Sequence, residues 1–495
     1  MSSRPATAAG SYPVTDRAFG LAIVVLGGLQ LMVVLDGTVA NLALARMQAD
    51  LGLSDAGRNW VVVSYALAFG GLMLLGGRIG DALGRKRVFI AGVALFTLAS
   101  LACGLAVNEA TLILARALQG TGAAVASPTA LALVATTFAP GPARNQAIAI
   151  YAAMTGIGSI TGLIVGGALT EVSWRWIFLI NVPIGLAIVT LAVFALQETV
   201  GERLALDVRG AVLGTFGATS LVFGISEGPE LGWGSVTIVT SLVLAIVLLT
   251  AFLVVERRAT NPLLPFKLFA DRDRVVTFAA IFFSGAALFC TTVYVALFVQ
   301  DILGYSPLRA GLAFIPFAVG LGVGSALASK LVMRIAPRWL AATGALIMVM
   351  GLFYGSTLDG TADYLTNMFV PIIGIGFGVG LAVVPLPLCA VAGVAETEIG
   401  PLTAITQVAQ TLSGPLALAV VGAMATSKTL SLGGNGGPAA RMTPHELSAL
   451  STGYTFALVW CAVCAALAGI VALFIRYSSR DVAQAQAAQE AAQQR

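Results

Sequence analysis

Charge is the scarcest component of this sequence. Only 10% of its 495 residues are Asp, Glu, Lys or Arg, and 58% are hydrophobic. A soluble domain carries about 25% charged residues. Mean hydropathy is +0.93, and no stretch has the polarity of a separate soluble domain, so the chain is expected to lie almost wholly in a bilayer. The single histidine, His445, excludes a histidine-built metal centre. The five cysteines, Cys103, Cys290, Cys389, Cys461 and Cys464, all fall in apolar runs without a disulfide or zinc-type setting, and the C-x-x-C of Cys461 and Cys464 on a lipid-depth helix reads as packing rather than redox. No G-x-x-x-x-G-K-[ST] or H-E-x-x-H occurs, which excludes a P-loop ATPase and a zinc protease of that type. No enzyme activity, cofactor or metal is expected. The alternating ten-residue pattern of an outer-membrane barrel is also missing. A net charge of +4 gives a nucleic-acid partner no support.

What is present is a series of long apolar runs. About 20 such residues cross a bilayer as a helix, and fourteen runs qualify: 18–44, 59–80, 87–107, 110–138, 143–170, 173–197, 209–228, 234–255, 274–299, 307–333, 337–358, 364–390, 398–426 and 449–477. The turn Ala139-Pro140-Gly141-Pro142 separates the fourth from the fifth. With the N-terminus in the cytoplasm, twenty of the 27 Lys and Arg residues fall inside and six outside (Arg46, Arg58, Arg175, Arg309, Lys428 and Arg441), with Arg116 left within the membrane. That asymmetry sets the orientation and supports fourteen spans, since an odd number would mix the two sets. Both termini are thus expected in the cytoplasm. The predicted organisation is a cytoplasmic segment over 1–17, a six-helix bundle over 18–198, two additional helices over 199–256, a cytoplasmic connector over 257–273 containing Asn261-Pro262-Leu263-Leu264-Pro265, a second six-helix bundle over 274–477, and a tail over 478–495.

Charges inside apolar runs carry the information. Each costs about 2.5–3.5 kcal/mol at a helix centre. Asp36 lies in the first run, about 12 Å from its outer end, and Arg116 in the fourth, about 9 Å from its outer end. Opposite charges at similar depth predict a proton-coupling pair, with a static salt bridge between helices as the competing reading. Gln30, Thr38, Asn41 and Gln119 are polar neighbours suited to hydrogen bonds between helices. Glu227, beside Gly228-Pro229, is expected at the outer interface. Glu396 and Glu398 are expected to favour a helix N-terminus. The inner loop between the second and third runs reads Gly77-Arg78-Ile79-Gly80-Asp81-Ala82-Leu83-Gly84-Arg85-Lys86-Arg87. Its glycines predict a tight turn, and the placement of Gly77, Asp81, Gly84 and Arg85 predicts a conformational latch rather than a simple anchor. Gly158, Gly162 and Gly166 share one helix face, with Gly167 beside them, which predicts close packing or a moving interface.

These motifs resemble the major facilitator superfamily, and within it the fourteen-span drug:proton antiporter branch (EmrB/QacA type). Leu35-Asp36-Gly37-Thr38-Val39-Ala40-Asn41 is similar to the branch's first-helix motif, Gly77 to Arg87 to the superfamily's loop motif, and Leu112 to Gly122 to the fourth-helix motif whose Arg is implicated in proton coupling. Trp174 to Gly185 and Gln300 to Pro307, followed by Ala310-Gly311, complete the resemblance, which covers nearly the whole chain. Two positions depart from it. Leu163 stands where the fifth-helix antiporter motif usually has Pro, and Ala82 where the loop motif has a basic residue.

The resemblance implies an all-α membrane protein of the major facilitator fold, with two six-helix bundles, two extra central helices and alternating access by rocking. It implies a proton-coupled exporter of amphipathic drugs or antibiotics, acting as a monomer in the bacterial inner membrane and driven by the proton gradient. Asp36 and Arg116 would couple the proton. Aromatic candidates for a substrate cavity are Trp60, Tyr65, Phe282, Phe289 and Tyr294. Proton-coupled import or exchange of a metabolite is kept open by Leu163. A non-transporting sensor is the rival from another class; it would tolerate loss of Asp36.

Overall fold

Apolar runs of this length have one economical solution in hydrocarbon, which is to satisfy every backbone group within a helix. The computed structural model describes residues 16–138, 142–199, 206–259, 269–392, 396–435, 437–479 and 481, and among these every regular element is helical. Fourteen helices are long and apolar enough to span a membrane, at the positions the sequence predicts. The turn residues 139–141, the connector residues 260–268, residues 1–15 and the tail from 482 lie outside the described residues.

The first six spans are α1 (Asp16–Leu51), α2 (Asp55–Leu83), α3 (Arg85–Gly104), α4 (Glu109–Thr137), α5 (Pro142–Val172), and a sixth broken into α6 (Trp176–Leu179) and α7 (Asn181–Ala195). In this group α4 packs against α2 and α3, and α1 against α5 and α7. The two extra spans, α8 (Val208–Leu231) and α9 (Val236–Arg258), form a hairpin. The last six are α10 (Arg272–Leu297), α11 (Pro307–Ala313) continued by α12 (Ile315–Leu331), α13 (Pro337–Gly355), α14 (Phe369–Val383) continued by α15 (Pro385–Ala390), α16 (Glu396–Ser431) and α17 (Pro444–Leu473). Within them α14 packs on α12 and α13, and α17 on α10 and α13. The break before α15 falls at Pro385, which cannot donate to the helix ladder.

Helices overrun their apolar stretches at the outer end. The sequence places the first two spans at 18–44 and 59–80, yet α1 continues to Leu51 and α2 starts at Asp55. Ser54 caps α2 by accepting from Gly57 N at 2.9 Å. A helix continues as long as caps and partners satisfy it, whatever the lipid depth. One consequence corrects the reading of Arg58 as an outer-surface topology charge: it lies in the first turn of α2 and is 2% exposed. At the inner end Gly84 turns the chain between α2 and α3 at φ +101, a conformation that L side chains resist.

The two groups of six meet directly through α2 with α16 and α5 with α11. The α8–α9 hairpin lies alongside that seam, with α8 packed on both α2 and α16. Much of α9 faces outward with exposed Val243, Leu244, Ile246 and Val247, a surface suited to lipid tails.

Candidate functional site

Asp36 and Arg116 meet. Arg116 Nη1 donates to Asp36 Oδ2 at 2.6 Å, and both side chains are at most 1% exposed. Their helices, α1 and α4, belong to the same bundle. Gln119, one turn after Arg116 and therefore on the same face, donates through Nε2 to Asp36 Oδ1 at 2.8 Å. Its carbonyl accepts from Arg116 Nη1 at 2.7 Å. Asn181, at the start of α7, donates to the same Oδ1 at 3.0 Å. Arg116 Nε donates to the Val61 carbonyl at 2.9 Å. The guanidinium carbon lies 4.4 Å from the Tyr65 ring centre and 5.5 Å from that of Phe178. A cation over an aromatic face is attracted by the ring quadrupole.

Both carboxylate oxygens of Asp36 are therefore occupied by donors from α4 and α7. Three of about four lone-pair sites are thus filled: a proton on Oδ1 displaces a donor, and a proton on either oxygen removes the charge that holds Arg116. Arg116 Nη2 and the Tyr65 hydroxyl are buried without a hydrogen-bond partner, which leaves donors ready for a new acceptor. The remaining polar neighbours differ in role. Gln30 bonds Thr155 across to α5 at 3.0 Å. Thr38, expected to bond between helices, instead donates back to the Val34 carbonyl of its own helix at 2.8 Å, the usual option for a hydroxyl one turn downstream. Asn41 Oδ1 is buried and unpartnered. Sequence reasoning passed over Asn181, although an Asn within an apolar span was a signal of the same kind as Gln119.

A second buried network ties the two bundles together at the outer end. Arg58 Nη1 lies 3.3 Å from Asp55 Oδ1 and 3.9 Å from Asp301 Oδ2, the latter on a π-helical turn (Phe298–Ile302) that continues α10. The Tyr454 hydroxyl of α17 accepts from Arg58 Nη1 at 2.9 Å and donates to Asp301 Oδ2 at 2.8 Å. Gln48 of α1 accepts from Arg58 at 2.9 Å and donates to Asp55 at 3.0 Å. The outer end is thus closed in this structure by polar contacts as well as by packing. Beside it, Glu230 of α8 accepts from Ala56 N at 3.4 Å, and Glu227 lies near Glu230, Glu109 and Trp60.

The glycines of α5 divide their work. A Cβ on Gly158, Gly162 or Gly166 would press on Val34, Thr38 or Val39 of α1, so the four-residue repeat serves close packing within one bundle. Gly167 faces the other bundle, where a Cβ would come 2.7 Å from Leu308 Cα. Gly311 returns the contact against the Leu163 carbonyl. The interface with α11 therefore runs past Leu163.

The inner loop is held within its own bundle. Arg85 Nε donates to Asp81 Oδ1 at 2.8 Å. The Glu198 carboxylate accepts from the Lys86 and Arg87 backbone N–H groups at 3.1 and 3.2 Å, where an anion complements the start of α3. Gly77 lies against Pro128 of α4. The aromatic candidates do not gather in one place. Tyr65 covers Arg116, Trp60 packs on Phe223 of α8 at 6.1 Å, and Tyr294 meets Tyr454 edge to face at 5.9 Å in the outer contact. Phe289 lies against Gly414 of α16, and Phe282 meets Phe283 edge-on.

Comparison with known proteins adds four findings. The family model described as the Major Facilitator Superfamily matches residues 26–418. The chain is 52% identical over 483 residues to the uncharacterized MFS-type transporter EfpA of Mycobacterium tuberculosis, covering 97% of this chain and 91% of that one. It is 41% identical over 399 residues to puromycin resistance protein pur8 of Streptomyces alboniger, covering 80% and 79%. A bacterial homolog of the human lysosomal transporter Spinster, solved inward-facing and unoccupied, shares the fold with a TM-score of 0.68 at 16% identity, covering 95% of this chain and 99% of that one.

Proposed function

The chain belongs to the major facilitator superfamily and is a multi-pass membrane transporter, not an enzyme; from that premise we propose that it exports amphipathic small molecules, drugs or antibiotics among them, in exchange for protons. The observation that carries the coupling is the buried Asp36–Arg116 pair, with Gln119 and Asn181 both bonded to the other carboxylate oxygen. Intramembrane acids of this kind mark ion and proton pathways. Export is supported by the likeness to a puromycin resistance protein.

In this reading the two bundles rock about the cavity between them. Asp36 takes a proton from the outside as substrate leaves, and the displaced Arg116 and Gln119 donors rearrange around it. Proton release to the cytoplasm restores the pair. Asp81, Gly84 and Arg85 latch the inner end when it closes, with Asp81 leaving Arg85 for the facing bundle. The protein acts as a monomer in the bacterial inner membrane. Its inner-side excess of Lys and Arg supports cytoplasmic termini.

The test is transport in proteoliposomes loaded with a pH dye, using puromycin and a panel of lipophilic cations. Addition of substrate on the cytoplasmic-facing side is expected to drive protons the opposite way. Proton movement with the substrate, or accumulation of substrate in the import direction, would overturn the reading.

A further inference from the structure

The outer network carries a feature that the Asp36 pair lacks: it contains two carboxylates and one guanidinium. Asp55 and Arg58 come from α2, whereas Asp301 comes from the other bundle. With all three ionised the cluster holds one net negative charge. Asp55 and Arg58 compensate each other inside α2 whether or not the bundles touch. Asp301 has its cation only while they touch. Parting the outer ends would leave an ionised Asp301 without Arg58 or, on the opposite side of the contact, leave Arg58 with one carboxylate fewer. An unpaired charge in such surroundings is strongly unfavourable, whereas a protonated carboxyl is neutral and carries its own donor.

Asp301 is also the member of the cluster that reaches the outer solution. A vestibule of about 430 Å³ opens over it, lined by Arg46, Gln48, Gln300, Asp301 and Tyr305. Its side chain is 10% exposed, against 4% for Asp55 and 3% for Arg58. The groups facing it are Arg58 and Asp55 of α2, Gln48 and Arg46 of α1, and Tyr454 of α17, with Tyr294 of α10 behind Tyr454. The other titratable groups at this end of α17 turn away: Glu446 bonds Asn435 and Thr443, and His445 lies against Gly433. Arg441, on a short turn packed against the π-turn, is exposed.

We propose that Asp301 is a second proton-binding carboxylate, loaded from the outer solution through this vestibule, and that its protonation unlocks the outer ends of the two bundles. Protonated Asp301 no longer accepts from Tyr454 as a carboxylate, and Arg58 falls back on Asp55. The C-terminal bundle then carries no buried charge at the seam and can separate. The inference stands apart from the identity of the transported compound and from the role of Asp36.

The test uses the full chain in lipid nanodiscs with spin labels at Ala49→Cys on α1 and Ser448→Cys on α17, on opposite sides of the vestibule. Four of the native cysteines are buried and Cys464 is half-buried, and an unsubstituted sample sets the labelling background. Lowering the pH from about 8 to about 5, toward the ordinary carboxylate range, is expected to raise the long-distance population several-fold. Asp301→Asn is expected to show the long distance at both ends of that range. Tyr454→Phe shifts the transition to higher pH, Asp301→Glu retains it, and Asp36→Asn leaves it in place. A wild-type distance that ignores pH overturns the proposal. So does an Asp301→Asn protein that stays closed throughout, or a pH response that survives in Asp301→Asn and disappears in Asp36→Asn.

Discussion

Asp36 and Arg116 meet inside one bundle, whereas Arg58 and Asp301 meet across two. Both networks are buried and both pair an Arg with a carboxylate, yet their geometry gives them different tasks. The first pair joins α1 to α4 with a donor from α7, all elements of one bundle. Its protonation can change while those helices stay packed. The outer network joins α1 and α2 to α10 and α17. It has to break whenever the outer ends part. In the reading proposed above, the first site exchanges the coupling proton, and the second, through its contacts and the protonation of Asp301, holds or releases the outer closure. Here the two are separate in space and built from the same chemistry.

The sharpest way to break that comparison is Asp36→Asn. If the inner-bundle carboxylate handles the proton, its loss should lower substrate-driven proton movement in proteoliposomes by about 10²-fold, the scale of a lost proton-transfer group, while fluorescence-detected size exclusion stays monodisperse. Arg116→Ala should cost the most stability. It leaves Asp36 buried without its cation, a loss of about 3–5 kcal/mol, read as a lower melting temperature in detergent, and Asp36→Leu combined with Arg116→Met should recover part of it. Gly311→Val tests the seam itself. The added side chain would meet the Leu163 carbonyl, so impermeant maleimide should reach a cysteine placed at Ala43 from the outside several-fold faster than in the parent. Tyr454→Phe removes two hydrogen bonds from the outer network only, about 1 kcal/mol each. It should raise outer accessibility modestly while substrate-driven proton exchange remains. The smallest effect is expected for Glu198→Gln, which weakens the anion at the start of α3 by about 0.5–1 kcal/mol, seen as faster amide exchange over residues 85–88.

The two networks were not equally legible in the sequence. Asp36 and Arg116 stood out because each interrupts an apolar run, where a charge has few innocent explanations. Their similar depth followed from helical rise alone. The fourteen spans followed from run length, and the glycine repeat of α5 from its spacing. Arg58 was hidden for the opposite reason. It sits at the edge of a run, where a cation is ordinary topology, and only the unexpected length of α1 and α2 brings it inside. Asp301 was hidden by the π-turn, whose wider register no apolar period announces. Tyr294 read as a candidate for the substrate cavity, and Tyr454 as one more aromatic of an apolar helix. Partners from distant parts of the chain become visible only when the bundles are docked. Glu198, which holds the inner loop, lies 112 residues from Lys86 and gave no local sign.

The most direct test of proton exchange at Asp36 is the number of protons released when an exported compound binds the purified protein in weakly buffered solution near neutral pH. Substrate and proton competing for one buried carboxylate should give a measurable release in the wild type and none in Asp36→Asn at matched occupancy. Equal release from both proteins would contradict the assignment of Asp36 as the coupling group.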